Sequence, residues 1–213
     1  LAVVEVSGPD RLTWLTSISS QVLTGIAPGE SRELLIMNPQ GHIEHACGAI
    51  DDGEILYLIT EASDAQALAD WLNSMRFALR VEITISQRWW LLGSIGDSGV
   101  SQCDQVALTW NDPWPGIVDG GAAYYQGKHP GESLAFHIHL VPRDQAREFW
   151  REWSEGAPKR RAAGIAAWEA TRIAAWRPRL GHETDARSMP AELDWLRTAV
   201  HTNKGCYRGQ EAV

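Results

Sequence analysis

Short runs of apolar residues fill the first half of the chain, and many of them alternate with polar residues, as the strands of a half-buried sheet do. Turn-forming residues separate these runs at 7–10, 38–41 and 51–53. The turn at 38–41 joins two apolar runs directly, which predicts a hairpin. The predicted strands cover residues 2–6, 33–37, the run from that turn through 50, 54–60, 81–86 and 89–95.

Other segments carry apolar residues at intervals of three and four, which is typical of amphipathic helices. Asp10 comes before one such segment and Ser63 or Asp64 before another, and these residue types cap helices. Asp144 is in the same position before a third. The predicted helices cover residues 10–22, 64–79, 144–153 and 162–176.

The stretch from 97 to 126 is rich in Gly and Pro and follows neither period, so we predict a domain boundary there. Beyond it, residues 133–141 alternate as a strand. The stretch from 177 to 203 has the composition of a loop, with one short helical run near 191–200. Hairpins mixed with helices predict an α+β fold class.

The formal net charge of −8 argues against direct nucleic-acid binding, because proteins that neutralise phosphates present a basic face. Lys159, Arg160 and Arg161 form a local basic cluster, for which a solvated helix face is the expected role. No apolar run reaches the roughly 18 residues of a membrane span, so we expect no membrane association.

The three cysteines include no C-x-x-C pair, which argues against a disulfide framework and against a structural zinc site. This usage suits a reducing compartment, and we expect the protein in the cytoplasm. His137 and His139 share one face of a predicted strand but have no third ligand nearby in sequence, so no metal site is predicted.

The end of the chain carries the strongest chemical pattern. Cys206 lies between Gly205 and Gly209, with Lys204 and Arg208 as its nearest cations. Adjacent cations favour a thiolate, and glycines let the backbone approach a ligand closely. The alternative is that Cys206 is only a small buried hydrophobic residue.

This run resembles the K-G-C-[FY]-x-G-Q-E signature of the YgfZ proteins, and the stretches 168–181 and 6–15 resemble other parts of that family. YgfZ proteins are folate-dependent helpers in the assembly and maintenance of iron–sulfur proteins and thereby in tRNA modification. The resemblance implies tetrahydrofolate or a one-carbon derivative as the cofactor, and iron–sulfur proteins or their assembly machinery as partners. The residues that carry it are Lys204, Gly205, Cys206, Tyr207, Arg208, Gly209, Gln210 and Glu211.

The YgfZ fold is similar to that of the glycine cleavage T-protein, a tetrahydrofolate-dependent aminomethyltransferase, with three domains around a central folate-sized hole. The resemblance implies that residues 1–46 and 115–213 form a discontinuous folate-binding domain. Residues 47–114 would then form an inserted, ferredoxin-like α+β domain. It also implies that the family's C-terminal β-barrel is absent from this chain.

Site residues follow from the same resemblance. Cys206 is the functional thiol, with Lys204 and Arg208 beside it, and Gly205, Tyr207, Gly209 and Gln210 contribute to the folate site. Glu132 resembles a T-protein glutamate that binds the pterin ring, and a carboxylate suits the N–H groups of that ring. Arg172 resembles an arginine along the folate cavity. The alternatives are a solvated loop glutamate and a helix-surface arginine.

Three departures from the T-protein pattern matter. The turn at 40–46 has no aspartate at the position of the T-protein's catalytic one, and Glu44 or His45 are its partial substitutes. Trp176 replaces a glycine, and Ala191 replaces a histidine. The leading hypothesis is therefore a folate-binding accessory protein without conventional enzymatic activity. The alternatives are an aminomethyltransferase and a scaffold in which Cys206 only packs.

Overall fold

The computed structural model describes residues 1–156 and 161–213, and it shows an α+β architecture built on two antiparallel sheets. Lys159 and Arg160 of the basic cluster lie outside the described residues. The strands are β1 (Ala2–Ser7), β2 (Ser31–Met37), β3 (Ile43–Asp51), β4 (Ile55–Thr60), β5 (Glu82–Ser86), β6 (Trp89–Ile95), β7 (Leu108–Asn111) and β8 (Phe136–Pro142). The α-helices are α1 (Arg11–Ile18), α2 (Ala65–Met75), α3 (Ala146–Glu155) and α4 (Ile165–Ala174).

The first sheet has the strand order β2-β3-β4-β1-β5 and the second has the order β6-β8-β7. Residues on one face of the first sheet pack against α1 and α2. Its other face packs against the second sheet, where Ile50 and Tyr57 meet Trp110 and Ile138 in one apolar cluster. On the far side of the second sheet, Val141 packs with residues of α3. The molecule is thus layered helix, sheet, sheet, helix.

The hairpin predicted around residues 38–41 is confirmed, since β2 and β3 pair antiparallel on either side of it. β7 was missed, because its four residues lie within the Gly- and Pro-rich stretch that shows no period. The predicted helical run near 191–200 is largely wrong, because its only helical residues belong to a 3₁₀ turn at Pro190–Leu193. The predicted boundary between residues 46 and 47 falls inside β3, and the division into two domains stays a prediction.

Helices α1, α2 and α4 are shorter than the sequence predicts, and α3 keeps the predicted length but lies two residues later. The three predicted caps are wrong, and for α3 the residue before the helix is Gln145 and not Asp144. Asp10 makes no capping hydrogen bond to α1, because its carboxylate binds Arg80 instead. Asp64 makes none to α2, because its carboxylate contacts His45 and accepts a hydrogen bond from Thr60. In both cases another side chain, Arg80 for Asp10 and His45 with Thr60 for Asp64, binds the carboxylate that the local sequence pattern assigns to the helix backbone. No described helix is long and apolar enough to cross a membrane.

Candidate functional site

A central cavity of about 120 Å³ lies where the two sheets meet the segment that follows α4. Strands β3, β4, β7 and β8 form part of its wall, and α4 with residues 177–180 closes it. Aromatic rings line it, and a cluster of charged groups lies at one side. Its lining includes Glu33, Gly48, Glu61, Trp110, Asp112, Phe136, Trp168, Arg172, Arg177 and Arg179.

Glycines allow the indole rings of the cavity wall to lie directly on the strands. A Cβ atom at Gly48 would come within 2.7 Å of the Trp110 ring, and one at Gly93 would come equally close to Trp168. The Trp168 ring also stacks on Phe136, with 4.1 Å between ring centroids and 15° between planes. The cavity therefore has flat, apolar walls suited to a planar ring.

Arg177 links two buried carboxylates at the side of the cavity. Its guanidinium lies 2.6 Å from Glu33 and 2.8 Å from Asp112. Glu33 also accepts hydrogen bonds from the Trp195 indole at 2.9 Å and from the Thr198 hydroxyl at 2.6 Å. Burial, opposed by the charge of Arg177, raises the pKa of Asp112 above its usual value. One cation thus pairs with two buried carboxylates at the side of the cavity.

Arg172 lies in a second ion-pair network on the same wall. It is 4% exposed and binds Glu169 at 2.6 Å and Glu183 at 2.9 Å. Arg179 joins Glu169 to Glu61 with distances of 2.9 and 2.6 Å. Arg172 is therefore a buried cavity-wall residue and not a helix-surface arginine. Its guanidinium already has two carboxylate partners.

Trp176 adopts the left-handed conformation, with φ of 58°, directly after the end of α4. Helices commonly end on such a residue, and glycine is the usual choice because a Cβ atom strains this geometry. The backbone N–H of Arg177 returns to the carbonyl of Arg172, which completes the helix end. Trp176 thus adopts the left-handed backbone conformation that a glycine would adopt without strain.

The loop after His201 that carries the signature docks on the β2–β3 turn. Gly209 has φ of 82°, and a Cβ atom there would lie 2.4 Å from the backbone oxygen of Asn38. Gly41, in the turn itself, has φ of 79° and lies against Gly209 and Ala212. Gly209 therefore serves close backbone packing between two loops. Its predicted role in the folate site stays a prediction.

Lys204 points away from the cysteine and into the end of α1. Its ammonium donates hydrogen bonds to the carbonyls of Thr16, Ser19 and Gln21. Carbonyls at a helix end lack helical partners and carry the negative end of the helix dipole. Burial lowers the pKa of Lys204 to about 8, so the amine is still largely protonated at pH 7. The cation ties the signature loop to the first helix.

Replacing Lys204 by methionine is expected to lower the free energy of unfolding by about 2 kcal/mol, because buried carbonyls lose their donor. Urea denaturation followed by circular dichroism measures this. Lys128→Met is the matched control, because Lys128 is exposed. Equal stability of the two variants would contradict the anchoring role.

Cys206 itself is exposed, whereas Cys47 and Cys103 are buried. The alternative in which Cys206 only packs therefore disagrees with its position. Arg208 lies 3.0 Å from Glu44, in the strand that follows the turn. Both cations that flank the thiol in sequence thus bind other groups, Lys204 through backbone carbonyls and Arg208 through Glu44.

The other signature residues divide between core and surface. Tyr207 is buried in an apolar cluster with Leu35 and Trp195. A Cβ atom at Gly205 would meet nothing within 4 Å, so this glycine faces open space. Gln210 is half-buried at the start of a 3₁₀ turn. Their predicted contribution to a folate site stays a prediction.

Glu132 is exposed in the loop before β8. One of its carboxylate oxygens accepts a hydrogen bond from the backbone of His129 at 3.2 Å. Neither Glu132 nor Cys206 lines the central cavity, whereas Arg172 does. The structure therefore does not gather the predicted site residues around one cavity.

Glu33, Asp112 and Arg177 were missed as candidates. The Asn-Asp-Pro context of Asp112 is typical of a turn, and its carboxylate does accept the backbone N–H of Trp114 at 3.0 Å. Glu33 comes directly before a run of apolar residues in β2. A carboxylate beside such a run is the sequence feature that indicates a buried ion pair. Arg177 has no comparable signal, since Arg-Pro-Arg is typical of exposed loops.

Comparison with solved structures identifies the fold. The chain is similar to the crystal structure of the glycine cleavage system aminomethyltransferase T from Bartonella henselae, with a TM-score of 0.71 and 19% sequence identity. The similarity covers 99% of this chain and 59% of that one, so this chain spans about three fifths of that protein's length. No protein-family model matches the sequence, and no curated protein sequence matches it. The chain therefore has the fold of an aminomethyltransferase T-protein.

Proposed function

We propose that the protein binds tetrahydrofolate and assists the assembly or repair of iron–sulfur proteins, and thereby tRNA modification, as YgfZ proteins do. The observation that most directly supports this proposal is that Cys206 is exposed, in a signature loop that packs on the β2–β3 turn of a T-protein-like fold. An exposed thiol on an anchored loop can reach another protein. Cys206 is the functional thiol on this proposal, and iron–sulfur proteins or their assembly machinery are the partners.

The central cavity suits the ring of a folate but not the whole molecule. Its volume of about 120 Å³ is below the roughly 300–1,000 Å³ of sites that enclose whole ligands. An outer hollow of about 490 Å³ shares Ile138, Trp168 and Arg179 with it. The pterin ring would lie against Trp168, and Arg143 in the outer hollow would balance the charge of the glutamate tail.

The finer organisation is part of the proposal. Residues 1–46 and 115–213 would form the folate-binding domain, residues 47–114 the ferredoxin-like insertion, and the C-terminal barrel would lie outside this chain. The compartment would be the cytoplasm.

Aminomethyl transfer is the second candidate, and the similarity in fold favours it. The partial substitutes for the T-protein's catalytic aspartate, Glu44 and His45, lie in β3. Glu44 lies 3.0 Å from Arg208, and His45 lies 2.9 Å from Asp64. One oxygen of the Glu44 carboxylate already accepts a hydrogen bond from Arg208, which leaves fewer lone pairs for a folate nitrogen. Release of ammonia from an aminomethyl donor in the presence of tetrahydrofolate would favour the transferase over the accessory protein.

Complementation tests the proposed role of the thiol. In a bacterial strain without its own YgfZ-type protein, we expect the wild-type protein to restore iron–sulfur-dependent tRNA modification and Cys206→Ser to restore none. Cys103→Ser is the matched control, because Cys103 is buried under α3. Full activity of Cys206→Ser, with both variants present at wild-type levels, would contradict the proposal.

A further inference from the structure

A hollow of about 300 Å³ lies between β6, α3 and the start of α4. Among the described residues, three indole rings line it, those of Trp150, Trp153 and Trp168, and we name it the indole hollow. Its volume is at the lower end of the range of small-molecule sites. The hollow is larger than the central cavity and shares Trp168 with it. The proposed function gives it no role.

Other contacts hold two of these indoles in place. The Nε1 atom of Trp153 donates a hydrogen bond to the carbonyl of Ser98 at 3.0 Å. The Trp168 ring lies against Gly93 and stacks on Phe136. Two walls of the indole hollow are therefore formed before a ligand binds, which lowers the conformational cost of binding.

Trp150 is the most exposed of the three indoles. Its ring centroid lies 5.5 Å from that of Trp153, with 40° between the planes. The residue is 44% exposed, although an indole is one of the largest apolar side chains. A planar ligand beside it would remove apolar surface from water, which favours binding. The indole hollow thus suits an aromatic ring.

The charge of the lining is positive. Arg161 is the one charged side chain among the described residues that line the indole hollow. It is exposed, and it has no ion-pair or hydrogen-bond partner in the part of the chain that the structure describes. Lys159 and Arg160 directly precede it in the sequence, and two alanines follow it. A negatively charged ligand group would therefore be attracted by Arg161 without a neighbouring carboxylate in the described lining to oppose it.

We propose that the indole hollow binds a small aromatic carboxylate. The aromatic ring lies against the indoles, and Arg161 donates hydrogen bonds to the carboxylate. Arginine suits this role because its planar fork of N–H groups matches the two oxygens of a carboxylate. The proposal goes beyond the folate role and does not rest on it.

Calorimetric titration with indole-3-acetate tests the proposal, and indole-3-ethanol is the uncharged probe of similar shape. We expect saturable binding of the acid with one site per chain. We expect about fivefold weaker binding of the alcohol, because an ion pair with an exposed arginine contributes modestly. No saturable binding of the acid, or equal binding of the two probes, would overturn the proposal. Both titrations use the unmodified protein, so neither depends on a variant folding.

Two variants locate the site. Arg161→Gln is expected to weaken indole-3-acetate binding about fivefold and to leave indole-3-ethanol binding unchanged. Trp150→Leu is expected to weaken the binding of both probes about fivefold, since both lose the same aromatic contact. Arg76→Gln is the matched control, because Arg76 is exposed after α2, in the opposite helix layer. Wild-type affinity in both site variants, with unchanged circular dichroism, would show that the acid binds elsewhere and would overturn the assignment.

Competition with folinic acid separates the indole hollow from the central cavity, with which it shares Trp168. A saturating concentration of folinic acid is expected to leave the affinity for indole-3-acetate unchanged. Displacement of indole-3-acetate by folinic acid would show that the hollow belongs to the folate site and would overturn its assignment as a separate one.

Discussion

Arg177→Met is expected to lower the free energy of unfolding by about 4 kcal/mol, the largest effect of any single change considered. The substitution keeps most of the side-chain volume but removes the one cation between Glu33 and Asp112. Two carboxylates are then buried without a counter-charge, and Asp112 is already held above its usual pKa by burial. Urea denaturation at pH 7 gives the free energy of unfolding.

Arg151→Met is the matched control, because the Arg151 side chain is 68% exposed on α3. We expect a change within about 0.5 kcal/mol there. Combining Arg177→Met with Asp112→Asn should recover part of the lost stability, since one of the unpaired charges is gone. Equal stability of the Arg177 and Arg151 variants would show that the buried cluster does not hold this side of the cavity together.

Gly209→Ala is expected to lower the free energy of unfolding by at least about 2 kcal/mol. Left-handed backbone geometry strains an alanine, and the new Cβ atom would lie 2.4 Å from the carbonyl oxygen of Asn38. The signature loop must therefore move off the β2–β3 turn. Limited proteolysis should detect the released loop around Cys206 as a new cleavage site.

Gly205→Ala provides the comparison within the same signature. Gly205 has ordinary backbone geometry and open space around its Cβ position, so a change of less than about 0.5 kcal/mol is expected. If both alanine variants were equally stable and equally resistant to protease, the docking of the loop through Gly209 would be wrong.

The strands could be predicted from the sequence because they depend on residues that are neighbours in the chain. Alternation of apolar residues and a four-residue turn are enough to predict β2 and β3 as a hairpin. The caps of α1 and α2 could not be predicted in this way. Whether Asp10 binds its own helix or Arg80 depends on where the chain places a residue 70 positions away.

The same limit applies to the candidate site. The exposure of Cys206 is consistent with a thiol presented from a glycine-flanked loop. The direction of the Lys204 side chain is not encoded in that loop, because its partners are carbonyls at and just after the end of α1, as many as 188 positions away in sequence. Neighbours in sequence therefore predicted an activated thiol, whereas the fold places both flanking cations on other groups.

The aromatic wall of the cavity was also outside the reach of sequence reasoning. Trp110 and Trp168 lie on Gly48 and Gly93, and these contacts join residues from four separate segments. The many tryptophans are visible in the composition, but which of them face a cavity is decided by the packing of the two sheets. Shape, and not residue type, distinguishes a ring-binding wall from ordinary core.

Titration of the protein with folinic acid by calorimetry tests the central claim most directly. Saturable binding with one site per chain is expected, about tenfold weaker in Trp168→Leu because the ring loses its stacking wall. Trp150→Leu, at an indole 44% exposed on α3, should bind as the wild type does. Absence of saturable binding by the wild type, or equal affinity in the two tryptophan variants, would contradict a folate site in the central cavity.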